Sequence, residues 1–207
     1  MKKTILLLAV VLVSFSARAQ RPNWNGGGIY FGDSIVLGDF YDMNAGKSSH
    51  FSIDGFGVIV PLTPSGIVDF RANIRYTYDN LFFKDKMTLV SGVNGVPTPM
   101  PLSSDVKKSK LRFHTVSLPV GFAVNPGKVS IGALIAPGYV FDVSTKYKAP
   151  KTKGDLSRFN KFSLRIEGVF SYDGYGVYVG YGFKPLFEEG IYGDDARILN
   201  IGVVLGF

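Results

Sequence analysis

Val68-Asp69-Phe70-Arg71-Ala72-Asn73-Ile74-Arg75-Tyr76-Thr77-Tyr78 decides the fold, because it alternates without a break. Val68, Phe70, Ala72, Ile74, Tyr76 and Tyr78 fall on one side of an extended chain; Asp69, Arg71, Asn73, Arg75 and Thr77 fall on the other. Successive side chains of a strand point to opposite faces, so the segment reads as a strand with one apolar and one charged surface. The pattern recurs. Phe162, Leu164, Ile166, Gly168, Phe170 and Tyr172 oppose Ser163, Arg165, Glu167, Val169 and Ser171. Tyr175, Val177, Val179, Tyr181 and Phe183 oppose Gly176, Gly180, Gly182 and Lys184. At the end, Leu199, Ile201, Val203, Leu205 and Phe207 share a face, against Ile198, Asn200, Gly202, Val204 and Gly206.

Working outward, eight stretches have strand character, near 26–37, 50–60, 67–78, 111–124, 129–143, 161–172, 175–186 and 197–207. Most reach the ~9–11 residues that a tilted strand needs to cross the hydrocarbon layer. The second and fourth alternate less cleanly, and Asp33 fits the first poorly. Short connections with strong turn chemistry lie at 61–66, 125–128 and Asp173-Gly174. Longer loops cover about 38–49, 79–110, 144–160 and 187–196. An even strand number puts both termini and the short turns on one side, as in outer-membrane barrels with the periplasm below. The expected fold is therefore an all-β, eight-stranded, antiparallel up-and-down transmembrane barrel with short periplasmic turns and longer extracellular loops.

Alternation alone also fits a soluble lipocalin-like barrel. Three features favour the membrane. Aromatic residues gather towards strand ends (Tyr76, Tyr78, Phe162, Tyr172, Tyr175, Phe183), where interfacial girdles sit. Many positions opposite the apolar face are glycine or charged, which suits a narrow polar lumen. The chain closes on Phe207 directly after an alternating strand. Composition agrees: 17 Phe, 11 Tyr and 25 Gly among 207 residues suit strands and turns.

The first nineteen residues read as a signal peptide. Lys2 and Lys3 precede an apolar run from Thr4 to Phe15, and Ala17-Arg18-Ala19 is a small-x-small cleavage site. Cleavage after Ala19 leaves a barrel domain over 20–207. The net charge of +7 counts Lys2, Lys3 and Arg18; without them it is +4, too modest to suggest nucleic acid. There is no cysteine, which excludes disulfides and a lipid-modified cysteine. The expected location is the cell outer membrane of a Gram-negative bacterium.

The leader, the eight strands and the terminal segment Arg197-Ile-Leu-Asn-Ile-Gly-Val-Val-Leu-Gly-Phe207 resemble the small outer-membrane β-barrel proteins. Within them the nearest likeness is the PorT-like, or "outer membrane protein beta-barrel domain", family of Bacteroidota. The resemblance implies that the last strand, with its terminal aromatic, is read by the barrel-assembly machinery. It also implies roles such as adhesion or accessory work in secretion.

The polar faces would send Asp54, Asp69, Arg71, Asn73, Arg75, Arg165, Glu167, Lys184 and Asn200 into the lumen. An eight-stranded barrel is just filled by its side chains, so these charges are expected to pair and plug it. His50 and Ser52 project to one side of the second strand as His-x-Ser, which resembles an outer-membrane lipid A deacylase family. With a carboxylate, such a set could activate the hydroxyl for ester attack. The surrounding residues do not continue that family's pattern, and the motif is expected to be structural, as is His114.

The basic loop residues Lys146, Lys148, Lys151, Lys153 and Arg158 could meet anionic lipid headgroups, lipopolysaccharide included. A second set, Lys84, Lys86, Lys107, Lys108 and Lys110, flanks the loop before it. Glu188, Glu189, Asp194 and Asp195 form an acidic loop, although their spacing matches no calcium-binding motif. Gly26-Gly27-Gly28 precedes no helix and is no phosphate loop, and the two histidines lack metal-ligand spacing. Neither a cofactor nor a metal is expected. The preferred reading is a monomeric, non-enzymatic barrel with a structural or interaction role, accessory to a secretion or surface-assembly complex. A lipid-modifying enzyme and a small diffusion channel stand as alternatives.

Overall fold

The computed structural model describes residues 23–148 and 152–207. The leader read over 1–19 and Lys151 lie outside them. Eight antiparallel strands form the wall: β1 in two pieces (Asn23–Gly26 and Ile29–Leu37), β2 (Ser49–Pro61), β3 (Val68–Phe82), β4 in two pieces (Lys108–Ser117 and Val120–Val124), β5 (Val129–Lys148), β6 (Phe162–Tyr172), β7 (Tyr175–Gly182) and β8 (Arg197–Leu205). Each pairs with its neighbour in sequence, and β8 closes on β1 through Arg197↔Leu37 to Leu205↔Ile29. The fold is the up-and-down barrel expected.

The turns explain the closure. Asp173 and Gly174 both take positive φ, 53° and 82°, as a two-residue primed turn requires between twisted strands. Pro119 interrupts β4 because it has no N–H for the ladder, yet its carbonyl still accepts from Asn73 N at 3.0 Å. The register shift between Asp54 and Gly57 bulges β2 against β3.

The outer wall settles the orientation of the faces. Ile74, Val116, Phe122, Ile131, Ile135, Phe170, Val177, Ile201 and Val203 are exposed, while Asp54, Arg75, Asp79, Glu167 and Asn200 are buried. A soluble barrel would have the reverse. Such a continuous apolar exterior is stable only in hydrocarbon, so this is an outer-membrane type of barrel. Asp33 does lie on the outer face, exposed, in keeping with its poor fit to the pattern.

Five boundaries differ from expectation by several residues. Residues 79–82, 108–110 and 144–148, expected as loop, are strand. β3 is therefore 15 residues long and β5 is 20, well beyond a hydrocarbon crossing. β7 ends at Gly182, so the following loop starts earlier than expected. β8 ends at Leu205, and Phe207 does not continue its lipid face. Gly206 takes φ +83° and turns the last ring inward. That ring packs beside Gly132, where there is no space for a Cβ, and lies 4.2 Å from the Arg71 guanidinium carbon.

Candidate functional site

Inside the wall, the inward residues form three polar groups, one above another. At the periplasmic end Arg71 donates to Asp69 at 2.9 and 3.2 Å, to Asn125 at 3.1 Å and to Ser130 at 3.3 Å. Phe207 covers this group from below. In the middle Arg75 is almost wholly buried and bridges Asp54 and Glu167 across the lumen. Its second contact to Asp54 is 3.1 Å. Asn73 and Tyr30 also donate to Asp54, and the Arg75 guanidinium lies over the Tyr30 ring at 4.0 Å. A fully desolvated ion pair is tolerable only when its remaining hydrogen-bonding capacity is met, and these neighbours meet much of it.

The third group centres on Asp79. Its carboxylate accepts from Ser34 at 3.0 Å, Asn200 at 3.1 Å and Arg165 at 3.2 Å. His50 Nδ1 lies 2.7 Å from Asp79 Oδ1, and His50 Nε2 lies 2.8 Å from Ser52 Oγ. A tautomer with hydrogen on Nδ1 donates to the carboxylate and accepts from the hydroxyl. This is the connectivity of a Ser–His–Asp triad. Ser52 also meets Thr77 Oγ1 at 2.8 Å. All three members are buried to within a few per cent. The cavities that reach inward beside Asp79 and Thr77 measure about 40 and 10 Å³, and Ser52 lines neither. Such volumes hold a few waters at most.

Asp79 is the member that sequence reasoning misses. The expected loop begins with it, although it continues the parity of Asp69, Arg71, Asn73, Arg75 and Thr77. Lys184 is exposed just past the end of β7. The Phe183 N–H still bonds Leu164 O in the β6–β7 register, and Lys184 lines the small cavity beside Asp79 together with Arg165 and Gly182.

Above Asp79 the interior changes character. Leu81, Leu89, Leu111, Phe113, Val143, Leu156, Phe187 and Ile198 form an apolar cluster that closes the extracellular end. Strand extensions and loops supply it together, and a small hairpin, Met87–Ser91 against Pro97–Pro101, contributes Leu89.

The basic set separates in the structure. Lys146 and Lys148 stand on β5, opposite Lys110 and Lys108 of β4. Lys153 pairs with Asp155 at 3.0 Å, and Arg158 with Glu188 at 2.5 Å. Lys84 pairs with Asp42 at 2.8 Å, a hydrogen bond that keeps its ammonium protonated to higher pH than an ordinary lysine. Two carboxylates of the acidic loop are occupied with backbone: Asp194 accepts from Gly190 N in the same loop, and Asp195 accepts from Asp39 N in the loop after β1. Glu189 is exposed. His114 faces outward and meets the Tyr76 hydroxyl at 2.7 Å.

No protein-family model and no curated protein matches the chain. Among solved structures, the crystal structure of Ail, the attachment invasion locus protein of Yersinia pestis, is similar over 89% of this chain and 97% of that one. The identity is 13% and the TM-score 0.40.

Proposed function

We propose that the chain is a non-enzymatic outer-membrane barrel that works through its outer surface. Its role is structural or interactive, as an accessory to a secretion or surface-assembly complex of the PorT-like kind, and its last strand is the segment that the barrel-assembly machinery reads. The observation that carries this reading is the filled interior. Ion pairs occupy the lumen from Asp69 to Asp79, and an apolar cluster closes it above. A solute has no route through, so planar-bilayer recordings with purified protein should stay silent; conductance steps would replace this reading with that of a channel. The accessory role predicts that a larger partner co-purifies after mild detergent extraction, and recovery only as a free monomer would sink it.

A second reading rests on the Ser52–His50–Asp79 chain, whose distances would suit nucleophilic attack on an ester. Against it, an acyl carbonyl must reach Ser52 Oγ, and that atom is held between His50 and Thr77 inside the wall. A fluorophosphonate probe should leave the detergent-solubilised protein unlabelled. Labelling that disappears in Ser52→Ala would establish the enzyme instead.

A further inference from the structure

We propose that the outer face of β3–β5, just above the lipid belt, binds the phosphorylated headgroup of an outer-leaflet lipid through Lys108, Lys110, Arg112, Lys146 and Lys148. The proposal rests on the reading of this chain as an outer-membrane barrel. It moves the headgroup contact expected of a basic loop onto paired strands.

The register supplies the first argument. Lys108 stands directly opposite Lys148, and Lys110 directly opposite Lys146, on the outward face of two paired strands. Facing Cβ atoms in an antiparallel pair are about 5 Å apart, and like charges placed so oppose each other. Two such pairs in succession work against the fold unless an anion lies between them. None of these five cations forms an ion pair with a carboxylate among the described residues, whereas Lys84, Lys153 and Arg158 nearby all do. Lys110 donates to the neutral Asn80 at 2.6 Å and lies 5.3 Å from the Phe82 ring. Arg112 donates to Ser144 at 2.8 Å, and its Nε is buried with no partner among the described residues. The carboxylate one step below, Asp142, is shared by His114 at 3.7 Å and Lys153 at 3.9 Å.

Space and position supply the second. Phe82, Tyr147 and the four lysines line a surface groove of about 420 Å³. Down the same outward face, β4 runs from Lys108, Lys110 and Arg112 through His114 to Val116, and β5 runs from Lys148 and Lys146 to Phe141, Tyr139 and Ile135. Cation, aromatic ring and aliphatic side chain follow one another as phosphate, interface and acyl chain do in a lipid. A free phosphate would gain nothing from the aromatic and aliphatic rows, so the face fits a lipid.

The test uses the full chain purified in a zwitterionic detergent and titrated with bis-phosphorylated lipid A, read by native mass spectrometry. The wild type should retain this lipid in preference to its dephosphorylated form. Changing Lys108, Lys110, Lys146 and Lys148 to Gln should weaken retention by about tenfold or more. It should also raise the urea midpoint in lipid-free detergent, because the opposed charges are gone. Equal retention by wild type and variant would overturn the proposal, and so would inorganic phosphate that competes at concentrations comparable with the lipid. Heat-shifted gel mobility, unchanged in the variant, shows that its barrel is folded. A wild type without that shift would bring down the membrane reading itself, a result distinct from loss of the site.

Discussion

From Asp69 to Asp79 the inward side chains of β3 are charged or polar and find partners across the lumen, whereas from Leu81 upward the same face packs against Phe113, Val143 and Phe187. The outer face makes the opposite change. Ile74, Tyr76 and Tyr78 give way to Asn80, and on the neighbouring strand Val116 gives way to Arg112, Lys110 and Lys108. The two faces exchange polarity at the level of Asp79 and Leu81. The cause is the solvent outside. Below that level the wall meets hydrocarbon, so apolar groups gain nothing by turning inward and the lumen can hold charge. Above it the wall stands in water, and the hydrophobic effect drives apolar side chains to the inside, as in a soluble protein. One continuous ladder therefore encloses two interiors held by different forces.

The comparison breaks first, and with the largest effect, at Arg75. Arg75→Leu strands the buried Asp54 and Glu167, which should cost about 3–5 kcal/mol, read as a lower urea midpoint of the protein in detergent. Replacing all three residues with apolar ones of similar volume should recover most of the loss. A cost below ~1 kcal/mol for the single change would mean that the lower interior is not held by ion pairs.

In the upper interior a purely apolar truncation tests the other half. Leu111→Ala removes a fully buried side chain from the cluster above Asp79 and should cost about 2–5 kcal/mol, depending on how far the cavity collapses. Its signature should be local. Protease cleavage should rise in the loops over 83–107 and 183–196 while the heat-shifted mobility of the barrel persists. Loss of that mobility with no earlier loop cleavage would show that the two interiors unfold as one.

The strands and their faces are legible wherever a strand lies in hydrocarbon. β3, β6, β7 and β8 alternate cleanly, and Asp173-Gly174 announces its turn. Legibility fails at the polarity exchange. Leu81, Leu111 and Phe113 carry inward parity, but a rule that equates apolar with lipid-facing puts them on the wrong side, so the alternation looks finished and residues 79–82 read as loop. Asp79 goes with them, and with it the third member of the Ser52–His50–Asp79 chain. The inward charges Asp54, Asp69, Arg71, Arg75, Arg165 and Glu167 can be placed by parity alone, but their pairings cannot. Cross-lumen contacts such as Arg75 to Glu167 depend on strand tilt and stagger, which no single strand's sequence contains.

The smallest of the three effects separates two roles for Phe207. Parity along β8 puts the ring on the lipid face with Val203 and Leu205, where it would serve only as a feature for the assembly machinery to read. Gly206 instead turns it under the lumen, where it lies on Arg71 and against Gly132. A guanidinium over an aromatic face at a partly exposed site is worth about 1 kcal/mol. Phe207→Ala, refolded into detergent with no assembly machinery present, should lose about that much stability, seen as a small fall in urea midpoint. The loss should shrink when Arg71 has already been replaced by Met, because the two changes remove the same contact. A ring that acts only as an assembly signal would leave the purified protein's midpoint unmoved in both backgrounds.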